Sequence, residues 1–383
     1  MLSVVPLVTG PESLSLDSAH ALFDQPGCPA CRHASAAIES YLEWLAGAGH
    51  RDAATLNRLS ESRGMCAAHT RRLLARPGTA ARLRTLYGHV IDAALQDIQA
   101  RPAGCPACEH AGIAGDRLLG FLIDEATRGD RRTYKEHGGL CLPHLRRAAV
   151  CRRGADILWL VRFMVARLTE PSPGMDLLTG HGEPVPAGGD LAECVVCGAA
   201  AEAERAERSR RNTAGGDCLC PQHLREVARV RVAGDEAADL LTRQAALHAA
   251  RLTRVLDGRS RRLGNYLSVR AREALSDPDC PVCLSRETAA EREISRVAMA
   301  LSECCPTSSA RLELCFRHAR DVHAVDQQAG ATADAQLRIR GRQILAKMRP
   351  DCEHDAGVQM AASLGQSATA VRRAAGFLDG SAP

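Results

Sequence analysis

Cys105-Pro106-Ala107-Cys108, followed after a gap by Leu140-Cys141-Leu142-Pro143-His144-Leu145-Arg146, is the pattern from which the fold of this chain is read. Its two halves, a CxxC and a CxxH, alternate along the whole sequence. Cys28 and Cys31 precede Cys66 and His69, Cys194 and Cys197 precede Cys220 and His223, and Cys280 and Cys283 precede Cys315 and His318. The four copies place 12 of the 17 cysteines and four of the 14 histidines by one rule, which accidental spacing does not do. The recurrence also extends past the ligands. An apolar residue always precedes the third cysteine (Met65, Leu140, Leu219, Leu314), and an arginine always stands two positions after the histidine (Arg71, Arg146, Arg225, Arg320). A repeated context of this kind marks a structural unit as well as a ligand set, and its period of 77, 89 and 86 residues suits a few helices per copy.

The residue types point to a metal ion. Tetrahedral Zn²⁺ takes thiolate sulfur and imidazole nitrogen, and Cys3His is one of its closed structural sets. Two cysteines three apart turn toward one ion when the first is the N-cap of a helix and the second lies in the first turn. Proline after the first cysteine (Pro29, Pro106, Pro281) fits the first helical position, where its missing N–H costs nothing. CxxH repeats the arrangement on a second helix start. Each ion then lies between two helix N-termini, whose free N–H groups and partial positive charge stabilise thiolate. In chain order each CxxC closes with the CxxH that follows it. The expectation is therefore four tandem modules, each holding one ion on Cys28/Cys31/Cys66/His69, Cys105/Cys108/Cys141/His144, Cys194/Cys197/Cys220/His223 and Cys280/Cys283/Cys315/His318. About four Zn²⁺ per chain are expected; iron–sulfur clusters are the alternative cofactor.

Composition agrees with metal stapling. Aromatic residues make up only 3% of the 383, so the core rests on Ala, Leu and Val, which bury less area per side chain. The formal charge is +4, and four Cys3His sites with three thiolates and one dication each contribute about −4, which leaves little general attraction for nucleic acid. Residues 2 to 8 are apolar but broken by Pro6 and lack a basic flank, which speaks against a signal peptide. Ile157 to Leu168 contains Arg162 and Arg167 and is too short to cross a bilayer. A cytoplasmic protein is the expectation, and there such cysteines bind metal more readily than they form disulfides.

The helical periodicity gives an all-α fold in two lobes. A leader (1–20) precedes module 1 (21–101), in which a helix follows Cys31 with Ile38, Tyr41, Leu42 and Leu45. A second runs near Asp52 to Ser62, and a closing helix spans Thr79 to Ala100. Module 2 (102–170) carries Leu118, Leu119 and Leu122 on its first helix and Ile157, Val161, Met164, Val165 and Leu168 on its last. The Pro- and Gly-rich stretch 171–190 reads as the linker between lobes. Module 3 (191–276) departs from the pattern. Val195 replaces the proline, Cys197 and Cys220 are 23 residues apart against 32 to 35 elsewhere, and Glu202 to Arg211 has little with which to fill a core. Cys218 competes there with Cys220, which the spacing favours. Two helices near Asp235–Leu256 and Leu263–Leu275 follow, then module 4 (277–350) and a tail (351–383) with a short helix near Ala368–Leu378. Cys151, Cys304, Cys305 and Cys352 fall outside the rule and read as unligated thiols.

The CPxC and Gly-x-Cys-x-x-His boxes, best seen in Gly139 to His144 and in Gly64 to His69, resemble those of a group of uncharacterised bacterial proteins that carry them in tandem. The resemblance covers the ligand corners and implies metal binding without an activity. No catalytic triad, P-loop or HExxH is present. A closed set of four protein ligands leaves no open position for substrate, so the expected function is a zinc-stabilised scaffold or adaptor that binds another protein. Electron transfer through iron–sulfur clusters and zinc-dependent nucleic-acid binding are the alternatives.

Overall fold

The computed structural model describes residues 27–128, 139–151, 154–171, 174–180, 194–211, 219–230, 235–257, 280–303, 313–348, 369–375 and 377–378. Its regular elements among these residues are helices: α1 Pro29–Gly47, α2 Ala53–Glu61, α3 Ala67–Leu74, α4 Ala80–Gln96, α5 Pro106–Arg128, α6 Leu142–Cys151, α7 Gly154–Leu168, α8 Met175–Thr179, α9 Val195–Arg211, α10 Pro221–Val230, α11 Asp235–Asp257, α12 Pro281–Glu303, α13 Phe316–Val325 and α14 Gln327–Met348, with a 3₁₀ turn at Gly49–Arg51. The fold is all-α, as the periodicity requires. The leader, the helix expected at Leu263–Leu275 and Cys218, Cys304, Cys305 and Cys352 lie outside the described residues.

The chain forms two compact units, but they are not its two halves. The first draws its described residues from Met1–Ile38, His110–Pro184 and Ala206–Leu284, the second from Glu39–Glu109, Val185–Arg205 and Ser285–Pro383. Each unit thus takes segments from both sides of the expected linker, and α1, α5, α9 and α12 each contribute residues to both. Within the expected linker, Met175–Thr179 is helical and Leu178 is buried, so that part of the stretch is core.

In the first unit the closing helix α7 packs on α11, and α8 lies against α6, α10 and α11. The core holds Leu118, Leu119, Leu122, Ile157, Val161, Met164 and Leu168 from one half of the sequence and Leu224, Val227, Leu252 and Val255 from the other. In the second unit α4 packs on α14 in the same way, with α2 against α4 and α13 against α14. Leu83, Leu86, Val90 and Ile91 of α4 are buried there, as are Leu337, Ile344 and Met348 of α14. Residues 369–375 and 377–378 belong to this core as well: Phe377 packs edge-on against Phe316 with centroids 4.9 Å apart, and Val371 is fully buried. The tail helix contributes to the fold more than its weak sequence signal suggests.

The apolar residue before each third cysteine (Met65, Leu140, Leu219 and Leu314) is buried at every copy. In the first copy the backbone turns through Gly64 (φ 92°), and a Cβ there would stand 3.0 Å from the Tyr87 ring. The buried Tyr87 hydroxyl meets Thr70 Oγ1 at 2.6 Å and accepts from the Met65 N–H at 3.5 Å. Tyr87→Phe leaves these groups without that partner inside the core. A loss of about 1–2 kcal/mol in unfolding free energy is expected by denaturant titration, and an unchanged midpoint would show that the hydroxyl does not hold this turn.

Candidate metal centres

The first cysteine of every motif is the residue at which a helix begins. The backbone carbonyls of Cys28, Cys66, Cys105, Cys141, Cys194, Cys220, Cys280 and Cys315 each accept from the N–H four residues on, the first bond of the helix that follows. Cys66 and Cys315 have extended N-cap geometry. The second ligand of each motif, three residues later, is in the first turn. This places both ligating side chains at a helix start, where the N-terminal dipole favours thiolate.

The way the motifs combine differs from the expectation. Each CxxC closes with the CxxH of the neighbouring copy. Site I is Cys28, Cys31, Cys141 and His144; site II is Cys66, His69, Cys105 and Cys108; site III is Cys194, Cys197, Cys315 and His318; site IV is Cys220, His223, Cys280 and Cys283. All sixteen expected residues fall within these groups, and every in-module set is exchanged. In the first half of the chain the packing accounts for this: α2 lies against α4, the Ala103 N–H donates to the Glu61 carbonyl at 2.9 Å, and Arg63 holds the carbonyls of Asp97, Ile98 and Ala100, so the segment entering Cys105 runs beside the one entering Cys66.

The exchange also accounts for module 3. Its short gap between Cys197 and Cys220 spans two sites, so it has no single ion to enclose. Val195, standing where the other copies have proline, keeps an N–H and donates it to the Glu313 carbonyl at 2.9 Å, which ties the start of α9 to the segment entering Cys315 of the same site. Cys220, which the spacing favours, lies with His223, Cys280 and Cys283, while its competitor Cys218 is outside the described residues.

Within each site the four ligand atoms lie within 4.8 Å of one another, and the imidazole always presents Nδ1. One sulfur–sulfur separation in each site is 3.6, 3.9, 4.0 and 3.8 Å for sites I to IV. Nitrogen–sulfur separations run from 3.2 to 3.5 Å. A tetrahedron with Zn–S near 2.3 Å and Zn–N near 2.0–2.1 Å has edges of about 3.8 and about 3.5 Å. The sulfurs are far beyond disulfide distance, about 2.05 Å. The residues present fit a single four-coordinate ion at each site.

The electrostatics fit a cation too. Hydrogen bonds from Cys108 and Cys66 hold Cys105 far below the ordinary thiol range, while the same crowding pushes Cys108 far above it. Cys194 and Cys315 divide likewise in site III. In site IV the hydrogen bond from Cys220 brings Cys280 down to about 3, and Cys220 is driven up. Burial lowers the His69 imidazole, but Cys105 and Cys66 more than offset it and push it up to about 9; His144 rises to about 10 against the same burial, through Cys28 and Cys31. Three sulfurs this close cannot all ionise by themselves, and a divalent ion lets them.

Two of the arginines that stand two past the histidine have defined partners. Arg146 is buried and lies 3.3 Å from His248 Nδ1, and Arg225 donates to the carbonyls of Thr179 and Gly180, the latter at 2.8 Å. Other supporting residues carry no repeat signal in the sequence. Arg63 donates to the carbonyls of Asp97, Ile98 and Ala100 at 3.2, 2.8 and 2.7 Å, and Gln244 Oε1 accepts from the Leu219 N–H at 3.0 Å. Gly180 has φ 74°, and a Cβ on it would stand 2.9 Å from Cys31 Sγ and 3.0 Å from Cys141 Sγ. Only a glycine backbone lies this close to those thiolates.

No helix among the described residues is long and apolar enough to cross a membrane. Comparison with protein-family models, with curated proteins and with solved structures gives no match, so the likeness to tandem CPxC proteins rests on the motifs themselves.

Proposed function

We propose that the protein is a non-catalytic scaffold or adaptor whose helices are fixed by four structural Zn²⁺ ions and whose partner is another protein. The observation that supports the metal assignment is the set of nitrogen–sulfur separations, with one sulfur–sulfur separation of 3.6–4.0 Å in each site, which match the edges of a single zinc tetrahedron. Multi-iron clusters distribute their cysteines over several iron atoms and spread the sulfurs beyond one such edge, which favours zinc over an iron–sulfur electron carrier. Four protein ligands per ion supply no open position for substrate or water, and this supports a structural role. The charge balance of a loaded chain supports a protein partner over nucleic acid.

Elemental analysis of anaerobically purified protein, read with its absorption spectrum, tests this reading. Close to four zinc per chain and a colourless solution are expected. Iron with broad absorbance near 400 nm would replace the reading with electron transfer.

A further inference from the structure

Each unit contains two of the four sites, one from each half of the chain: sites I and IV in the first, sites II and III in the second. In the first unit α10 supplies Cys220 and His223 to site IV, and two residues later Arg225 reaches the carbonyls of Thr179 and Gly180. That same peptide lies over Cys31 and Cys141 of site I. The short helix that delivers it, α8, packs against both α6, which carries Cys141 and His144 at its start, and α10. The reverse link is also present: Arg146, two residues past His144 of site I, meets His248 on α11, and α11 packs on α10. The ligand pair at the start of α10 stands two residues before Arg225, so an ion at site IV would also fix the cover of site I.

The second unit uses different residues for the same purpose. Arg63 stands three residues before Cys66 of site II. It holds the carbonyls of Asp97, Ile98 and Ala100, which lie on the segment running into Cys105 of that site. Its guanidinium also lies over the ring of Phe316, 4.9 Å from the centroid, and Phe316 directly follows Cys315 of site III. The Leu314 carbonyl on the other side of Cys315 accepts from Arg340, whose guanidinium lies 5.4 Å over Phe377. Site II is also the most open of the four, with Cys108 exposed and Cys66 and Cys105 half-buried, whereas site III has Cys194 and Cys315 buried.

We propose that the four ions are taken up and released as two coupled pairs, sites I and IV through Arg225 and the Thr179–Gly180 peptide, and sites II and III through Arg63 and Phe316, with the second pair emptied first. The proposal rests on the reading of the clusters as zinc sites. Each ion orders the helix start whose arginine or neighbouring ring holds the other site, so a filled site raises the affinity of its partner in the same unit. The pairing runs across the halves of the chain and not within them.

Native mass spectrometry of the reduced, full-length protein during stepwise removal of zinc by a chelator reads the populations directly. Four equal and independent sites, half filled, put about half of the molecules in the one- and three-ion states; coupling near a hundredfold within each pair leaves about a sixth of them there. The expected course is four ions, then two, then none. Thiol alkylation of the two-ion species should label Cys66, Cys105, Cys108, Cys194, Cys197 and Cys315 while the ligands of sites I and IV stay protected. Arg225→Gln should raise the one-ion population late in the removal, and Arg63→Gln the three-ion population early. Ions leaving one at a time from the wild-type protein, or a two-ion species labelled within one half of the chain, overturns the coupling and leaves the zinc reading intact. A protein that takes up no zinc sinks both.

Discussion

Removing the bound metal with excess chelator is expected to abolish most of the helical circular-dichroism signal and the cooperative thermal transition. A structural zinc site is worth on the order of 10–16 kcal/mol of apparent binding free energy, and a whole domain is stable by only about 5–15 kcal/mol. Few large side chains stand in reserve: Tyr87, Phe316 and Phe377 are the aromatic residues among the largest fully buried side chains. Without the ions, eight helix starts lose the group that their ligands converge on, and the crowded sulfurs are left to share protons. Acid is expected to act in the same direction, because protons compete with the ion for thiolate and imidazole and release therefore sets in as pH falls. Retention of helicity and of the thermal midpoint by a protein verified to be metal-free would show that the ions do not hold the fold.

The second large effect separates the exchanged ligand sets from the in-order ones. With saturating zinc, Cys28→Ser combined with Cys141→Ser damages one site in the observed arrangement and should leave three ions per chain. Cys28→Ser combined with Cys66→Ser damages two sites and should leave two. The in-order arrangement requires the opposite counts, two and three, so ion counting by native mass spectrometry distinguishes them without ambiguity. The reciprocal test in the other half uses Cys194→Ser with Cys315→Ser against Cys194→Ser with Cys220→Ser, and the same counts are expected.

Much of the local structure was legible because it depends on short-range rules. The N-cap cysteines with proline behind them announced where α1, α5 and α12 begin, and the apolar stripes of α4 and α7 announced their buried faces. The module 3 anomalies were legible only as anomalies. Val195 and the short gap before Cys220 looked like decay of a repeat, and both became ordinary once Cys194 was seen to face Cys315. Arg63, Gln244 and Gly180 had no periodic or motif signal, because each acts on a segment that only the packing brings beside it. The buried tail around Phe377 was weak in sequence for the same reason: its partners, Phe316 and Arg340, are dozens of residues away.

The sequence by itself determined the chemistry and the secondary structure. Thiolate and imidazole at i and i+3, at the N-terminus of a helix, define a ligand pair through the local geometry of a single turn, and the apolar period defines the helix behind it. Tertiary structure decided which pairs come together. The eight ligand pairs are of only two kinds, and any CxxC satisfies the coordination of any CxxH. In the first half of the chain the packing of α2 on α4, with Arg63 and Glu61 held against residues 97–103, brings together one of the combinations that the motifs leave equal.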